Sequence, residues 1–135
     1  MTSWQKDFCI PSDTDAGHQV LDGILRQLRL FQWPERDIFA IHLALEEAVV
    51  NAIRHGNESR EDKQVLIHTE ITPERFLTRI VDEGRGFDPD SLPDPTSDAH
   101  LEIPCGRGVK LMQNFMTSVT YNDAGNEVTL EKVRE

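Results

Sequence analysis

Apolar residues in the first half of the chain recur with helical spacing. One set within residues 20–28 predicts an amphipathic helix that begins after the capping oxygens of residues 12–15 and ends near Phe31. A second set predicts a helix from Pro34 to about His55, stopped by Gly56 and Asn57. Its core-facing residues are Ile38, Ile41, Leu45, Ala48, Val49 and Ala52.

Alternating apolar residues predict strands in the remaining parts of the chain. Residues 64–71 and 76–81 are predicted to form one hairpin, and 118–121 and 127–133 a second. Residues 4–10 alternate poorly but carry Phe8, Cys9 and Ile10 before Pro11, and an edge strand is predicted there. Residues 91–104 are rich in Pro, Asp and Ser and predict a long loop, a kind that is usually a lid or disordered. A further helix opens at residues 106–108.

This order of elements predicts the fold class. Strand, two helices, two strands, lid, helix and two strands indicate an α+β two-layer sandwich. About three helices would cover one face of a mixed, mainly antiparallel sheet. With 135 residues and no composition break, the chain is predicted to be a single domain over residues 1–135.

Composition narrows the class of protein. The chain is 38% hydrophobic and 28% charged, which is typical of a soluble globular protein, and no apolar run could span a bilayer. The first residues do not resemble a signal peptide, and Cys9 and Cys105 lack metal-ligand spacing, so a cytoplasmic location is predicted. The formal net charge of −10 argues against nucleic acid or an anionic membrane as a partner.

The first segment with candidate chemistry lies on the second predicted helix. Glu47, Asn51 and His55 are spaced i, i+4 and i+8, so they stack on nearly the same side of a helix. A carboxylate one turn before a carboxamide can direct both groups into one cleft. A half-exposed polar seam explains the same pattern, and this segment alone favours that alternative. Glu46 would point about 100° away and is left out of the site.

Two glycine-containing segments follow. Asp82 follows a predicted strand, and Gly84 and Gly86 would let the backbone pass close to a flat ligand. The Asp82 carboxylate could then accept a hydrogen bond from an amine of that ligand. Gly106 and Gly108 open a helix, where exposed N–H groups can bind an anion. A surface turn and an ordinary loop–helix junction are the alternative explanations, and each segment alone leaves both open.

Together, in this order and spacing, the three segments resemble the N box, G1 box and G2 box of the GHKL ATPase superfamily. The chain is most similar to the bacterial anti-sigma-factor serine/threonine kinases. Residues 47–56 match E-A-x-x-N-A-x-x-H-G, residues 82–88 match D-x-G-x-G-F-D, and residues 106–112 match the glycine motif that follows a short ATP lid. The resemblance implies the Bergerat ATP-binding fold. The chain has no room for a dimerisation helix pair, so a phosphoacceptor would be on another protein.

The resemblance also implies roles for residues. Asn51 would ligate Mg²⁺ that bridges ATP phosphate oxygens, and Glu47 would accept the proton of an attacking hydroxyl. Asp82 would bind the adenine amino group, with Gly84 and Gly86 allowing close approach.

Phosphate contacts are implied for the third segment. Gly106 and Gly108 would donate backbone N–H groups, and Arg107 and Lys110 are candidate cations. His55 would either contact the nucleotide or cap the end of its helix.

The sequence departs from the family pattern at two places. Pro104 and Cys105 stand where the family often has Ser or Arg before the glycines, which puts the lid's phosphate contacts in doubt. Asn126 follows Gly125 where the family tends to have a Thr that supports adenine. Thr129 would share a face with Glu127 and is not assigned that role.

The sequence therefore supports two functional hypotheses. The first is an ATP-dependent protein serine/threonine kinase that phosphorylates a small anti-anti-sigma-type partner and could also sequester a sigma factor, with homodimerisation implied by the resemblance. The alternative is a catalytically weak or inactive nucleotide-binding switch that regulates a partner by binding alone. A purely structural explanation requires all three segments to be coincidental.

Overall fold

The computed structural model describes residues 2–60, 62–84, 112–123 and 125–134. Its elements, in chain order, are β1 (Trp4–Pro11), α1 (Thr14–Leu30), α2 (Glu35–Val50), a π-helical turn (Asn51–Gly56), β2 (Gln64–Ile71), β3 (Arg75–Val81), β4 (Ser118–Tyr121) and β5 (Glu127–Val133). The predicted strands and the first helix are confirmed to within a residue or two. The predicted lid at 91–104 and the start of the third helix lie outside the described residues, and residues 112–115 are helical.

The five strands form one sheet in the order β1-β2-β3-β5-β4. Both predicted hairpins are present, and β5 lies between β3 and β4. Every pairing among the described strands is antiparallel, whereas the prediction allowed a mixed sheet. The α+β two-layer prediction is confirmed, with the sheet antiparallel in all its described pairs.

The helices cover one face of the sheet. Side chains of β2 alternate, so that Val65, Ile67 and Ile71 are buried while Leu66 remains 49% exposed on the opposite face. Ile67 lies opposite Ile80 in the neighbouring strand, beneath the helices. Burial of each such side chain stabilises the fold by about 1.5–3 kcal/mol. No described helix combines the length and the apolar character that crossing a bilayer requires.

A glycine sets the distance between the two long helices. A Cβ at Gly17 of α1 would lie 2.9 Å from Val49 Cγ1 and 3.3 Å from Ile53 Cδ1. A larger residue would force Val49 and Ile53 to shift, so the glycine allows α1 to pack closely against the end of α2. The N-cap of α1 is Asp13, whose Oδ1 accepts from the Asp15 N–H at 3.1 Å.

The second helix changes type in its last turn. The prediction of a helix to about His55 is confirmed in length but wrong in assuming α geometry, because residues Asn51–Gly56 form a π-helical turn. The Asn57 N–H donates to the Ala52 carbonyl, five residues back, at 2.8 Å. The side chain of Asn57 is fully buried and hydrogen-bonds to Ser12, Gln64 and Glu83. Such turns occur frequently at functional sites.

Candidate functional site

A cavity of about 280 Å³ lies between the C-terminal end of α2 and the adjoining ends of β3, β4 and β5. Ala48 and Ala52 line it from the helix side, and Ile80 and Val128 line it from the sheet. These apolar residues give the cavity a helix side and a sheet side that a flat ring could contact. A small number of polar groups at the margins is typical of a ligand-binding pocket.

The structure brings three of the predicted site residues to this cavity. Asn51, His55 and Asp82 line it, and His55 is exposed at the mouth. Glu47 is half-buried one turn before Asn51 and is not part of the cavity wall that the described residues form. Gly84 packs against Gly56 and Asp82 and does not line the cavity among the described residues. The remaining predicted residues, Gly86, Gly106, Arg107, Gly108 and Lys110, fall outside the described residues.

Asn51 contributes an unsatisfied amide to the cavity. Its Nδ2 is buried and has no hydrogen-bond partner among the described residues. A buried donor left without a partner costs about 1–3 kcal/mol, which a ligand at this position would offset. The Nδ2 of Asn51 is therefore placed to donate to an acceptor on a ligand, such as a phosphate oxygen.

The oxygen of the same carboxamide, and not the unpaired Nδ2, fits the predicted magnesium contact. A carboxamide oxygen is a suitable ligand for Mg²⁺, which usually binds few protein groups and completes its shell with phosphate oxygens and water. In the described part of the chain, no group of three His, Cys, Asp or Glu side chains could hold a metal. An ion at Asn51 would therefore depend mainly on oxygens of the ligand.

Asp82 lies at the floor of the cavity, where β3 ends. Its N–H donates to the Asn126 carbonyl at 2.9 Å, and its Oδ1 accepts from the Gly84 N–H at 2.8 Å. Burial raises the pKa of the Asp82 carboxyl, and the Gly84 N–H and the charge of Lys63 offset only part of that rise. The carboxylate keeps acceptor capacity beyond its one backbone bond and can bind a ligand amine.

Two glycines allow the chain to pack around Asp82. A Cβ at Gly56 would overlap the Asp82 carboxylate, and a Cβ at Gly84 would overlap the Gly56 carbonyl. The spacing of Asp82 and Gly84 predicted close approach to a ligand. The structure adds that Gly84 approaches the chain's own backbone at the end of the π-helical turn.

The β4–β5 hairpin forms a wall of which sequence reasoning identified only the position of Gly125 and Asn126, through the family resemblance. Tyr121, Gly125 and Asn126 line the cavity there. Asn122 Oδ1 accepts from the N–H groups of Asn126 and Glu127 at 3.1 and 3.2 Å, which fixes the turn. Two asparagines around a glycine with φ of 76° are a turn signal, but only the sheet order brings this turn beside Asp82.

Glu46, the acidic neighbour of Glu47, points elsewhere. Its carboxylate lies 3.6 Å from His18 Nε2 on α1 and 3.9 Å from His42 Nε2 on α2. The structure thus separates the two adjacent carboxylates, as the helical geometry predicts.

Comparison with known proteins identifies the family. Residues 10–132 match the model of the histidine kinase-like ATPase domain, and the chain belongs to this family. This family assignment confirms the predicted resemblance to the GHKL anti-sigma-factor kinases.

Individual relatives agree with this assignment. The chain is 34% identical to the anti-sigma F factor of Clostridium beijerinckii over 102 residues, which cover 71% of each chain. It is 37% identical to the anti-sigma F factor of Halalkalibacterium halodurans over 81 residues, 58% of this chain and 56% of the relative. It is 27% identical to the serine/threonine-protein kinase BtrW of Bordetella bronchiseptica over 103 residues, 73% and 72% of the two chains.

A solved structure shares the fold. The crystal structure of RsbU and RsbW domains from a Mycobacterium tuberculosis protein superposes with a TM-score of 0.64 at 15% identity. The match covers 98% of this chain and 32% of the solved chain, so the chain spans about a third of that neighbour's length.

Proposed function

We propose that this protein binds Mg·ATP in the cavity and transfers the γ-phosphoryl group to a Ser or Thr of a small anti-anti-sigma-type protein. The observation that carries the proposal is the orphaned amide of Asn51 in the same cavity as the carboxylate of Asp82. Adenine would lie between the apolar walls, with its amino group donating to Asp82, and the phosphates would extend past Asn51. Asn51 would hold Mg²⁺, which when bound neutralises phosphate charge.

In the transfer step, Glu47 would accept the proton of the substrate hydroxyl. The substrate hydroxyl oxygen forms a bond to the γ-phosphorus while the bond from that phosphorus to the β–γ bridging oxygen breaks and ADP leaves. The hydroxyl proton passes to the Glu47 carboxylate, which lies one helical turn from Asn51 on α2. The position of Glu47 outside the described cavity wall suits a base that must meet a protein substrate rather than the nucleotide base.

The location, the assembly and further partners are proposed from the family resemblance. The protein would act in the cytoplasm as an anti-sigma-type regulator, could sequester a sigma factor and would form a homodimer. The anti-sigma F factors to which it is 34–37% identical support the regulatory class.

The alternative proposal is a nucleotide-binding switch without useful catalysis. It is favoured by Asn126, which stands where the family tends to have Thr and which lines the cavity beside Asp82. In this case ATP would alter the affinity for a partner protein without phosphoryl transfer.

One experiment on the wild-type chain separates these proposals. The melting temperature is measured with and without Mg·ATP, and transfer from γ-labelled ATP is measured to a small anti-anti-sigma-type protein encoded beside this chain. Saturation at 100 times Kd is expected to add about 2.7 kcal/mol of stability. Stabilisation with transfer supports the kinase, stabilisation without transfer supports the switch, and no stabilisation contradicts both.

Replacing Asp82 with Asn is expected to leave stability equal or higher at pH 7 while raising the Kd for ATP at least about tenfold. Because burial raises the Asp82 pKa, the native state binds this proton more readily than the unfolded state does. The free energy of unfolding therefore falls as pH rises from the Asp82 pKa of the unfolded state to the higher pKa of the native state. Above the native-state pKa, the full cost of burying the ionised carboxylate is present. Asparagine avoids that cost and can keep the bond from Gly84, but its NH₂ group would oppose the adenine amine.

The measurements are melting curves from pH 4 to 8 and ATP titrations by calorimetry. The difference in melting temperature between Asp82→Asn and wild type should shrink as the pH falls toward about 4. The control is Asp22→Asn on the exposed side of α1, which changes net charge equally. Wild-type ATP affinity in Asp82→Asn would rule out the proposed role of this carboxylate.

A further inference from the structure

Asn57 is a buried polar residue that the cavity does not expose. Its relative accessibility is 0%, and its amide makes three hydrogen bonds. Oδ1 accepts from the Glu83 N–H at 2.7 Å. Nδ2 donates to Ser12 Oγ and to the Gln64 carbonyl, each at 3.0 Å. One side chain therefore joins the β1–α1 turn, the start of β2 and the turn that follows β3.

The turn that follows β3 carries Asp82, and Asn57 holds it directly. The Glu83 N–H belongs to the peptide unit that leaves Asp82, so the bond to Asn57 fixes the backbone on one side of that residue. The Asp82 N–H is fixed on the other side by the Asn126 carbonyl. These two bonds hold the backbone of Asp82, and the bond from the Gly84 N–H to Oδ1 at 2.8 Å restrains the carboxylate itself.

The residue before Asn57 completes this arrangement. Gly56 packs against the Asp82 carboxylate so closely that no Cβ could fit between them. Gly84 in turn packs against the Gly56 carbonyl. The burial of Asn57 thus draws the end of the π-helical turn onto Asp82, and its three bonds keep it there.

The network has a second connection that does not involve Asp82. Ser12 Oγ accepts from Asn57 and donates to the Lys63 carbonyl at 2.7 Å. Loss of the Ser12 hydroxyl would leave the bond from Glu83 to Asn57 in place. Replacing Ser12 therefore disturbs the buried network without releasing the turn that carries Asp82, whereas replacing Asn57 releases that turn.

We propose that Asn57 is a positioning residue that orients the Asp82 carboxylate toward the 6-amino group of a purine base. The inference rests on the proposed function, because it requires that a purine nucleotide occupies the cavity. Asn57 contacts neither nucleotide nor phosphate. It acts through the Glu83 peptide unit and through Gly56, so its loss should weaken discrimination between purine bases more than it weakens binding of the triphosphate.

The test compares two nucleotides that differ only in the amine. ATP and purine riboside triphosphate, which lacks the 6-amino group, are titrated into each variant well below its melting temperature. Wild type is expected to prefer ATP by about ten- to a hundredfold, the range for a hydrogen bond to a charged group. Asn57→Leu, which keeps similar volume and loses all three bonds, should bring this ratio close to one.

Three further variants separate positioning from stability. Asn57→Asp keeps an acceptor for the Glu83 N–H and should retain most of the preference for ATP although the fold is less stable. Ser12→Ala should also retain it. Thr69→Val removes a buried hydroxyl that lies 3.0 Å from Thr78 Oγ1, away from the cavity, and should lower stability without changing the ratio. Asn57→Ser leaves room for water and serves if Asn57→Leu does not fold.

The outcomes are distinct from those that test the proposed function. If wild type binds neither nucleotide, the proposed function itself fails. If wild type binds both equally, the carboxylate does not bind the amine and the positioning role is overturned. If wild type prefers ATP and the folded Leu or Ser variant keeps the full preference, Asn57 is structural only and the proposal is also overturned.

Discussion

Glu47→Gln is expected to slow phosphoryl transfer to the partner protein by about 10²–10⁴-fold while ATP affinity stays near that of wild type. Glutamine has nearly the same shape as glutamate but cannot accept the hydroxyl proton. Because Glu47 is half-buried on α2 and outside the described cavity wall, its replacement leaves the contacts of Asn51 and Asp82 in place. Single-turnover transfer from labelled ATP gives the rate, and calorimetry gives the affinity.

The matched control is the adjacent residue. Glu46→Gln makes the same chemical change on the same helix, but Glu46 lies beside His18 and His42 instead of beside Asn51. It should transfer phosphate at close to the wild-type rate. Equal rates in wild type and Glu47→Gln would remove Glu47 from the mechanism, and a loss confined to Glu46→Gln would mean that the two acids had been assigned the wrong way round.

Gly84→Ala is expected to lower stability by about 1–3 kcal/mol, the usual cost of overpacking, and to weaken ATP binding at least about tenfold. The added Cβ would overlap the Gly56 carbonyl, so the turn after β3 must move away from the π-helical turn. That movement displaces Asp82 and strains the bond between the Glu83 N–H and Asn57. Melting curves and ATP titrations measure the two effects.

Gly23→Ala is the control for this change. A Cβ at Gly23, within α1, would meet no heavy atom within 4 Å. Alanine there should stabilise the helix by up to about 1 kcal/mol and leave ATP affinity unchanged. If Gly84→Ala bound ATP as well as wild type, the close packing of Gly84 on Gly56 would have no part in forming the site.

The sequence was sufficient to predict the architecture because its signals are local and agree with one another. Gln64–Ile71 alternates throughout its length, and the structure begins and ends β2 at the predicted residues. The helices have apolar faces of the right period, and Leu21, Ile24 and Leu28 are buried as that period requires. Asn51 and Asp82 were predicted from the family motif, and both line one cavity.

The features that the sequence did not predict depend on contacts between distant segments. Residues 51–56 have an ordinary helical pattern, and their π-helical turn leads into Asn57, which bonds to Ser12, Gln64 and Glu83. Asn57 was interpreted only as part of a helix stop. Asn126 reaches the cavity because β5 pairs with β3, a sheet order that no local pattern encodes.

The network around Asn57 also bears on when the cavity forms during folding. Its hydrogen bonds join residues that are 26 positions apart at Glu83 and 45 apart at Ser12, whereas α1 and α2 depend on contacts within a few residues. Closing such long loops is entropically costly until much of the sheet is paired, so we expect the Asp82 side of the cavity to complete after the helices. A nucleotide that contacts Asp82 would therefore bind only the fully assembled chain, and partly folded forms with both helices in place would gain nothing from it.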